Sequence, residues 1–571
     1  MGHRALILPI AVGALIALPA GAQPAIGTAS CDGLVVSDVS IDPQPPDLSG
    51  FTKRWRALNV VNQLHVTSRA AMIRRFLLLQ LGDECTELRR AESERILRVQ
   101  PFLSDATVIA VPDGAGGVRL HVITIDEFSF LAAAAARNSS PYVSRIKAGD
   151  GNLFGQGVYA SAEWKDGMFY RDTYGGRFTD YQLFGRPYQL TIEGARRSLG
   201  EEWATQASHP FLTDLQRTAW RISGGESHGF FRFLREQVEG PALEVRRSYA
   251  DIGGIVRIGE PGRLSLFGAS LSREREFPEA DPVIISDRGL VPDTSTALLG
   301  RYGVHRTARI NALWGVRNIR FVRVSGFDAL TATQDLRRGF QLGLLAGRSL
   351  SVLGSTDDDI FTAADLYAGW THRNMFIGLQ FLGEGRQNYD ANQWDGILGS
   401  GRAASYLKWA PGHTLITTFE YSGGWNHRTP YQLQLGDLDG GVRGYRKSRV
   451  TGAQRGVIRA EERWSWRSIG RTADVGFAFF GDAGKMWAGD VPFGLDTPIR
   501  YAVGAGILAH LPARSRRLWR LDLAFPLTAD EHAKWELRLS SSNLTRIFWK
   551  EPHDVARSRE RFVPSSIFNW P

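Results

Sequence analysis

The stretch Trp519-Arg520-Leu521-Asp522-Leu523-Ala524-Phe525 places tryptophan, leucine and phenylalanine at odd positions and arginine, aspartate and alanine at even ones. Side chains alternate across a strand with a period of two, so the segment is a strand with one apolar and one charged face. Trp535-Glu536-Leu537-Arg538-Leu539-Ser540 repeats the pattern. In a soluble sandwich the apolar face turns into a core and the charged face to water. In a membrane barrel the apolar face meets lipid and the charged face lines a wet lumen. Alternation alone does not separate the two.

Segments of this kind, divided by turns, run from Asn138 towards the C-terminus without a helical interruption. Roughly 400 residues of strand are too many for one sandwich. Many strands begin or end on Trp, Tyr or Phe, as an interfacial girdle requires. Connections are unequal: Glu260-Pro261-Gly262 is short, whereas Phe277 to Thr296 is long and polar, as periplasmic turns and outer loops would be. Beyond the N-terminus no run of about 18 apolar residues is present, so no membrane helix is available, and a membrane protein so built is a closed barrel. These features favour a transmembrane β-barrel over residues 140–545, followed by a polar C-terminal tail, 546–571.

The composition agrees, with 62 Gly, 30 Phe, 16 Trp and 15 Tyr and only 43% hydrophobic residues, which describes turns and aromatics more than helices. Residues 1–22 have a basic start (His3, Arg4), an apolar run from Ala5 to Ala20 and the triplet Ala20-Gly21-Ala22. That is the pattern of a secretory signal peptide cleaved near Gln23. A membrane anchor is the alternative, but the run is short and holds Pro9 and Pro19. On an exported chain a net charge of +9 carried by dispersed arginines points to outer-membrane lipids, including lipopolysaccharide phosphates, and away from nucleic acid. The two cysteines, Cys31 and Cys85, favour one disulfide in an oxidising periplasm over a lipidated Cys31 or two free thiols.

Residues 31–128 have another periodicity. Leu34 to Ile41 reads as a strand closed by the turn Asp42-Pro43-Gln44-Pro45-Pro46. Met72, Ile73, Phe76, Leu77 and Leu81 predict a helix over 70–81 that Gly82 stops. Thr86 caps a second helix carrying Leu88, Ala91, Ile96 and Val99. Thr107–Val111 and Val118–Ile125 are strands joined by Asp113-Gly114-Ala115-Gly116-Gly117. The order is β-α-α-β-β, a small sheet covered by two helices, with Phe51 to Val66 as an insertion.

Chemical motifs are sparse. H-E-x-x-H, G-x-S-x-G and paired cysteine ligands are missing, and the histidines are scattered, so no catalytic residue, metal or cofactor is assigned. Gly149-Asp150-Gly151-Asn152-Leu153-Phe154-Gly155-Gln156-Gly157 lacks the ending of a phosphate loop and reads as a glycine-rich hairpin. Two stretches belong together. In Ala478-Phe479-Phe480-Gly481-Asp482-Ala483-Gly484, Phe480, Asp482 and Gly484 share one face while Phe477, Phe479 and Ala483 share the other. The phenylalanine-rich face suits lipid, which turns Asp482 inward. A luminal carboxylate gains from arginine's planar fork, and the loop Gly436 to Ser448, GDLDGGVRGYRKS, offers Arg443 among Gly440, Gly441 and Gly444. Glu461, in phase with Arg459 and Arg463, is a second carboxylate for it. The alternative is a solvated outer loop with an Arg-Gly turn.

On these residues the chain resembles the BamA/TamA superfamily of outer-membrane assembly factors, the bacterial surface antigen family. Val442-Arg443-Gly444-Tyr445 matches that family's (V/I)RG(F/Y) motif of the sixth outer loop, and Phe480-Gly481-Asp482-Ala483-Gly484 its FxDxG strand motif. Residues 34–126 look like one POTRA domain, with Pro101 to Ala106 similar to its helix-to-strand junction, and Gly151 to Gly155 is similar to the first-hairpin signature. The resemblance implies a periplasmic POTRA domain and a 16-stranded antiparallel barrel in the outer membrane, with Arg443 held by Asp482 and Glu461 so that the loop is locked in the lumen. It also implies insertion or translocation of unfolded client proteins, with periplasmic partner proteins possible. A single POTRA domain and the tail after Phe548 and Trp549 depart from the family. Envelope lipid transport or structural bridging, or a passive channel, are the alternative functions.

Overall fold

The computed structural model describes residues 31, 33–47, 65–136, 143–236, 238–279, 281–389, 392–436, 440–528, 530, 534–543 and 548–559. The expected signal peptide and nearly all of the Phe51–Val66 insertion lie outside them.

The N-terminal unit is a four-stranded sheet in the order β2-β1-β4-β3, made of β1 (Leu34–Gln44), β2 (Glu84–Cys85), β3 (Leu103–Pro112) and β4 (Val118–Asp126). β1 and β4 are parallel and β3 and β4 form the expected hairpin. Cys31 and Cys85 are disulfide-bonded, with Cα atoms 5.1 Å apart. β1 runs through the expected turn to Gln44, and Pro43 pairs with Thr124. Proline is tolerated there because β2 pairs only with Leu34 and Val35, which leaves this end of β1 an edge strand.

The helix expected over 70–81 is shorter, α1 (Ala70–Arg74). Phe76, Leu77 and Leu79 are buried in the turns that follow it, where the Leu78 amide donates to Ser93 Oγ of the second helix at 2.9 Å in place of a helix carbonyl. The second helix, α2 (Glu87–Val99), starts where expected, with Thr86 Oγ1 accepting from the Arg89 amide at 3.3 Å. Its burial differs from the periodic expectation. Leu88 is exposed, whereas Ser93 to Val99 is buried all round.

The barrel supplies the reason. Arg95 donates to the Leu212 carbonyl at 2.6 Å, Arg98 binds both carboxylate oxygens of Asp335 at 2.9 and 2.7 Å, and Arg516 donates to the Arg98 carbonyl. Leu212 and Tyr181, from two barrel turns, pack against the unit's own core. One face of α2 therefore closes the small sheet and the other is covered by the barrel's near rim.

Twenty antiparallel strands, from Phe130–Ala136 to Glu536–Asn543, close into the barrel among the described residues, the last beside the first. The hairpin Val283–Ser286/Gly289–Pro292 extends the long loop. This corrects two expectations. The barrel begins at Phe130 and not at 140, because Phe-Leu-Ala-Ala-Ala-Ala-Ala carries no alternation to mark a strand. The count exceeds sixteen because spacing is uneven: residues 143–209 hold five strands of 8 to 10 residues, while His305–Ser325 alone has 21. Two of the early hairpins use one turn twice. Phe154 and Phe184 both sit at φ 56° within Leu-Phe-Gly, and Asp150 and Asp180 accept from the amides of Asn152 and Gln182. These turns meet the N-terminal unit, where Asn152 donates to Ser68 at 2.8 Å and Gln182 to the Met72 carbonyl at 2.9 Å.

Outward positions carry large exposed apolar side chains around the barrel, among them Ile252, Phe267, Trp314, Phe381, Phe479 and Phe525. So wide an apolar surface belongs in a bilayer. Inward positions are polar and buried by what fills the lumen: the loop 440–453, and residues 548–559, which return into the barrel after the last strand.

Candidate functional site

Strand Ala473–Trp487 is inward at Ala478, Phe480, Asp482, Gly484 and Met486, all buried, while Phe479 on the other face is 58% exposed. Its neighbour Gln454–Ile469 turns Arg459, Glu461 and Arg463 inward. The loop lies against the inner face of these paired strands, pinned at its base by the two-residue pairing of Leu433–Gln434 with Thr451–Gly452. The expected site residues therefore converge; Asp437 to Asp439 of the loop lie outside the described residues.

Arg443 donates through Nε and Nη2 to the two Asp482 oxygens at 2.8 and 2.7 Å, and through Nη1 to Glu461 at 2.9 Å. Its main-chain amide also donates to Asp482, at 3.2 Å. The guanidinium lies over the Phe480 ring, 3.5 Å from the centroid. Each motif residue thus has a steric or electrostatic task. A Cβ at Gly484 would lie 2.3 Å from Val442 Cγ2, so the glycine makes the hole that the valine fills. Gly444 has φ +87°, a left-handed conformation that glycine adopts without strain, and its amide donates to Glu536 at 2.9 Å. Gly440 serves space instead: a Cβ there would meet Pro552 at 2.3 Å. The Tyr445 hydroxyl sits 3.0 and 3.1 Å from the Tyr501 and Thr528 carbonyls and accepts from the Thr528 amide.

Charge is balanced around this point. Arg520 donates to both Glu461 oxygens at 2.9 Å, Arg463 to Glu461 at 2.6 Å, and Arg459 to the Gly441 carbonyl at 2.7 Å while pairing with Glu420 at 3.0 Å. Four arginines face Glu420, Glu461, Asp482 and Asp522. Taking away one member of so desolvated a set costs about 3–5 kcal/mol where no neighbour can take up the charge it leaves. Sequence reasoning missed Arg520, Glu420 and Glu536. The inward phase of Arg520 and Asp522 was visible in their strand, but no periodicity says which distant carboxylate an inward arginine meets. Among the described residues no His, Cys, Asp and Glu side chains group as metal ligands.

No family model matches the chain, and no curated protein matches it. Solved structures do. Its structural neighbours are CdiB and BamA. CdiB from Escherichia coli superposes with a TM-score of 0.42 at 11% identity, over 88% of this chain and 76% of that one. BamA from Haemophilus ducreyi lacking POTRA domains 1–3 gives 0.35 at 10%, over 89% and 84%. CdiB from Acinetobacter baumannii gives 0.37 at 10%, over 89% and 74%. The likeness is one of overall architecture.

Proposed function

We propose that the chain is an outer-membrane insertion or translocation factor of the BamA/TamA kind, receiving unfolded polypeptides on the periplasmic side through a POTRA-like unit. The observation that carries this is the fit of Val442-Arg443-Gly444-Tyr445 into Phe480, Asp482, Gly484 and Glu461. A loop with bidentate, stacked and steric complementarity to the inner wall is a built device that an inert porin wall does not need. In this reading Arg443 is the bolt that holds the loop inside.

Client reception by strand addition uses free main chain at a sheet edge. On β3 the Val108 amide already donates to Glu94 at 3.0 Å and its carbonyl accepts from Arg90. On β1 the Val39 carbonyl accepts from Arg74 at 3.0 Å. Among the described residues the end of β1 from Ser40 to Gln44 has a strand on one side only, and in this reading it is the edge that takes a client.

Depletion followed by quantitative outer-membrane proteomics and lipid analysis tests the proposal. The expected result is loss of a defined set of outer-membrane or secreted proteins with lipids unchanged. Altered lipids with an intact protein inventory would instead establish lipid transport.

A further inference from the structure

The lumen is unevenly filled. Along the strands between Val143 and Glu260 it holds a polar cavity of about 910 Å³, whose lining includes Lys147, Arg177, Glu202, Glu226, His553 and Arg557. The other side is taken by the loop and by residues 548–559, which contain one helical turn, α3 (His553–Ala556). This segment is seated in detail. Phe548 packs edge-on against Tyr367 and Phe376, and a Cβ at Gly378 would lie 2.4 Å from its ring. Glu551 meets Ser400 and accepts from Arg559, which also binds Glu384 at 3.0 Å and the Leu382 carbonyl at 3.1 Å. Asp554 takes two bonds from Arg455, at 2.6 and 3.1 Å, and one from the Gln434 amide at 3.1 Å. Val555 is fully buried beside Val442 and Tyr445.

Three properties stand out. The barrel wall grips main-chain carbonyls that any peptide has: Arg402 donates to that of Phe548 at 2.7 Å, and Arg247 to those of Arg557 and Arg559 at 3.2 and 2.9 Å. Specificity is added by an aromatic pocket for Phe548, by Arg455 for the acid Asp554 and by Glu384 for the base Arg559, while Glu551 is paired within the segment by Arg559 and receives the Ser400 hydroxyl. The segment belongs to no sheet, so its departure breaks no barrel pairing. From Phe376 to Glu384 its seat follows one strand for about 26 Å, at ~3.3 Å per residue, which at a tilt of about 45° is roughly 19 Å of depth.

We propose that this seat is a polypeptide-binding site, selective for an aromatic residue followed by an acidic and then a basic residue, and that the chain's own residues 548–559 occupy it as a detachable plug. The proposal rests on the reading of the barrel as a polypeptide conduit.

The test uses the chain ended after residue 547 and a synthetic peptide of residues 548–559. In planar bilayers the shortened chain conducts several-fold more than the full chain, and the peptide restores the low level saturably. The same peptide with D554N and R559Q binds at least tenfold more weakly. Equal binding of the two peptides, or an unchanged conductance, overturns the proposal. If the shortened chain does not fold, the pair S400C/E551C in the full chain decides: oxidised, it holds the low-conductance state without openings, and reduced, it opens as the parent does, the parent under reductant serving as control for the Cys31–Cys85 bridge. Identical openings in both states overturn the plug. Peptide binding and block with no client lost on depletion would keep the site and remove the conduit reading.

Discussion

Asp482 stands directly across from Arg459 in the strand register, yet it gives both carboxylate oxygens to Arg443 from the loop and leaves Arg459 Nε at 4.0 Å. The wall thus carries its own fallback partner. Arg443→Ala should release the loop to external protease while lowering barrel stability only modestly, because Asp482 can turn to Arg459. The double variant R443A/R459A should cost more than the two singles added, by about 1–3 kcal/mol. Thermal unfolding followed by gel mobility, with protease mapping of the loop, reads both effects, and strict additivity would mean that Arg459 does not substitute.

Gly484→Ala places a methyl group where Val442 Cγ2 now sits. Overpacking at such a contact costs about 1–3 kcal/mol. V442A should recover most of the loss in G484A, since it removes the colliding atoms. A double-mutant cycle on loop protection measures this, and no recovery would place the damage elsewhere.

Glu127, between the N-terminal unit and the barrel, is 4% exposed and accepts from Ser515 Oγ at 2.6 Å. Burial pushes its carboxyl above the usual range, against the opposing pull of Arg517 and the Ser515 bond. A carboxyl raised by folding stabilises fully below its unfolded value, about 4.3, and that contribution is lost as pH rises through the folded value. Glu127→Gln should therefore flatten the melting profile from acid to neutral pH and raise the midpoint near pH 8. A lower midpoint for the variant there would show that the ionised form is the one the junction holds.

Arg98 of α2 binds the barrel carboxylate of Asp335 with both arms of its fork. Asp335→Asn leaves the buried guanidinium half-partnered and should loosen the unit from the rim without unfolding either part. Hydrogen exchange across residues 87–99 should rise by about tenfold or more, the factor that 1.4 kcal/mol commands, with barrel amides unchanged.

The short strands of residues 143–209 make that part of the wall low. Eight residues at ~3.4 Å each, tilted by about 45°, cover roughly 19 Å, well short of a ~30 Å hydrocarbon core. The barrel should insert faster and more completely into vesicles with twelve-carbon than with eighteen-carbon chains. Equal yields in both would mean that flanking loops complete the wall there.

The sequence by itself determined what is local or strictly periodic. Alternation at Trp519–Phe525 and at Phe477–Gly484 assigned the lipid and luminal faces, because a strand's side chains have no choice but to alternate. Thr86 marked its helix start because a cap acts within three residues. The luminal position of Asp482 followed from phase, and Arg443 from charge.

Only the tertiary structure decided what depends on distant partners. The strand count needed the short hairpins of 143–209, whose spacing differs from the rest. The all-round burial of α2 needed the rim that covers its second face. The polar stretch 548–559 looks solvated as sequence, because Glu551, Asp554 and Arg559 are charged. It is buried because Arg455 and Glu384, more than 90 positions away, pair with Asp554 and Arg559 inside the barrel, Arg559 in turn pairs with Glu551, and Arg402 and Arg247 take up main-chain carbonyls. Polarity shows that a group needs a partner, and the fold decides whether that partner is water or another side chain.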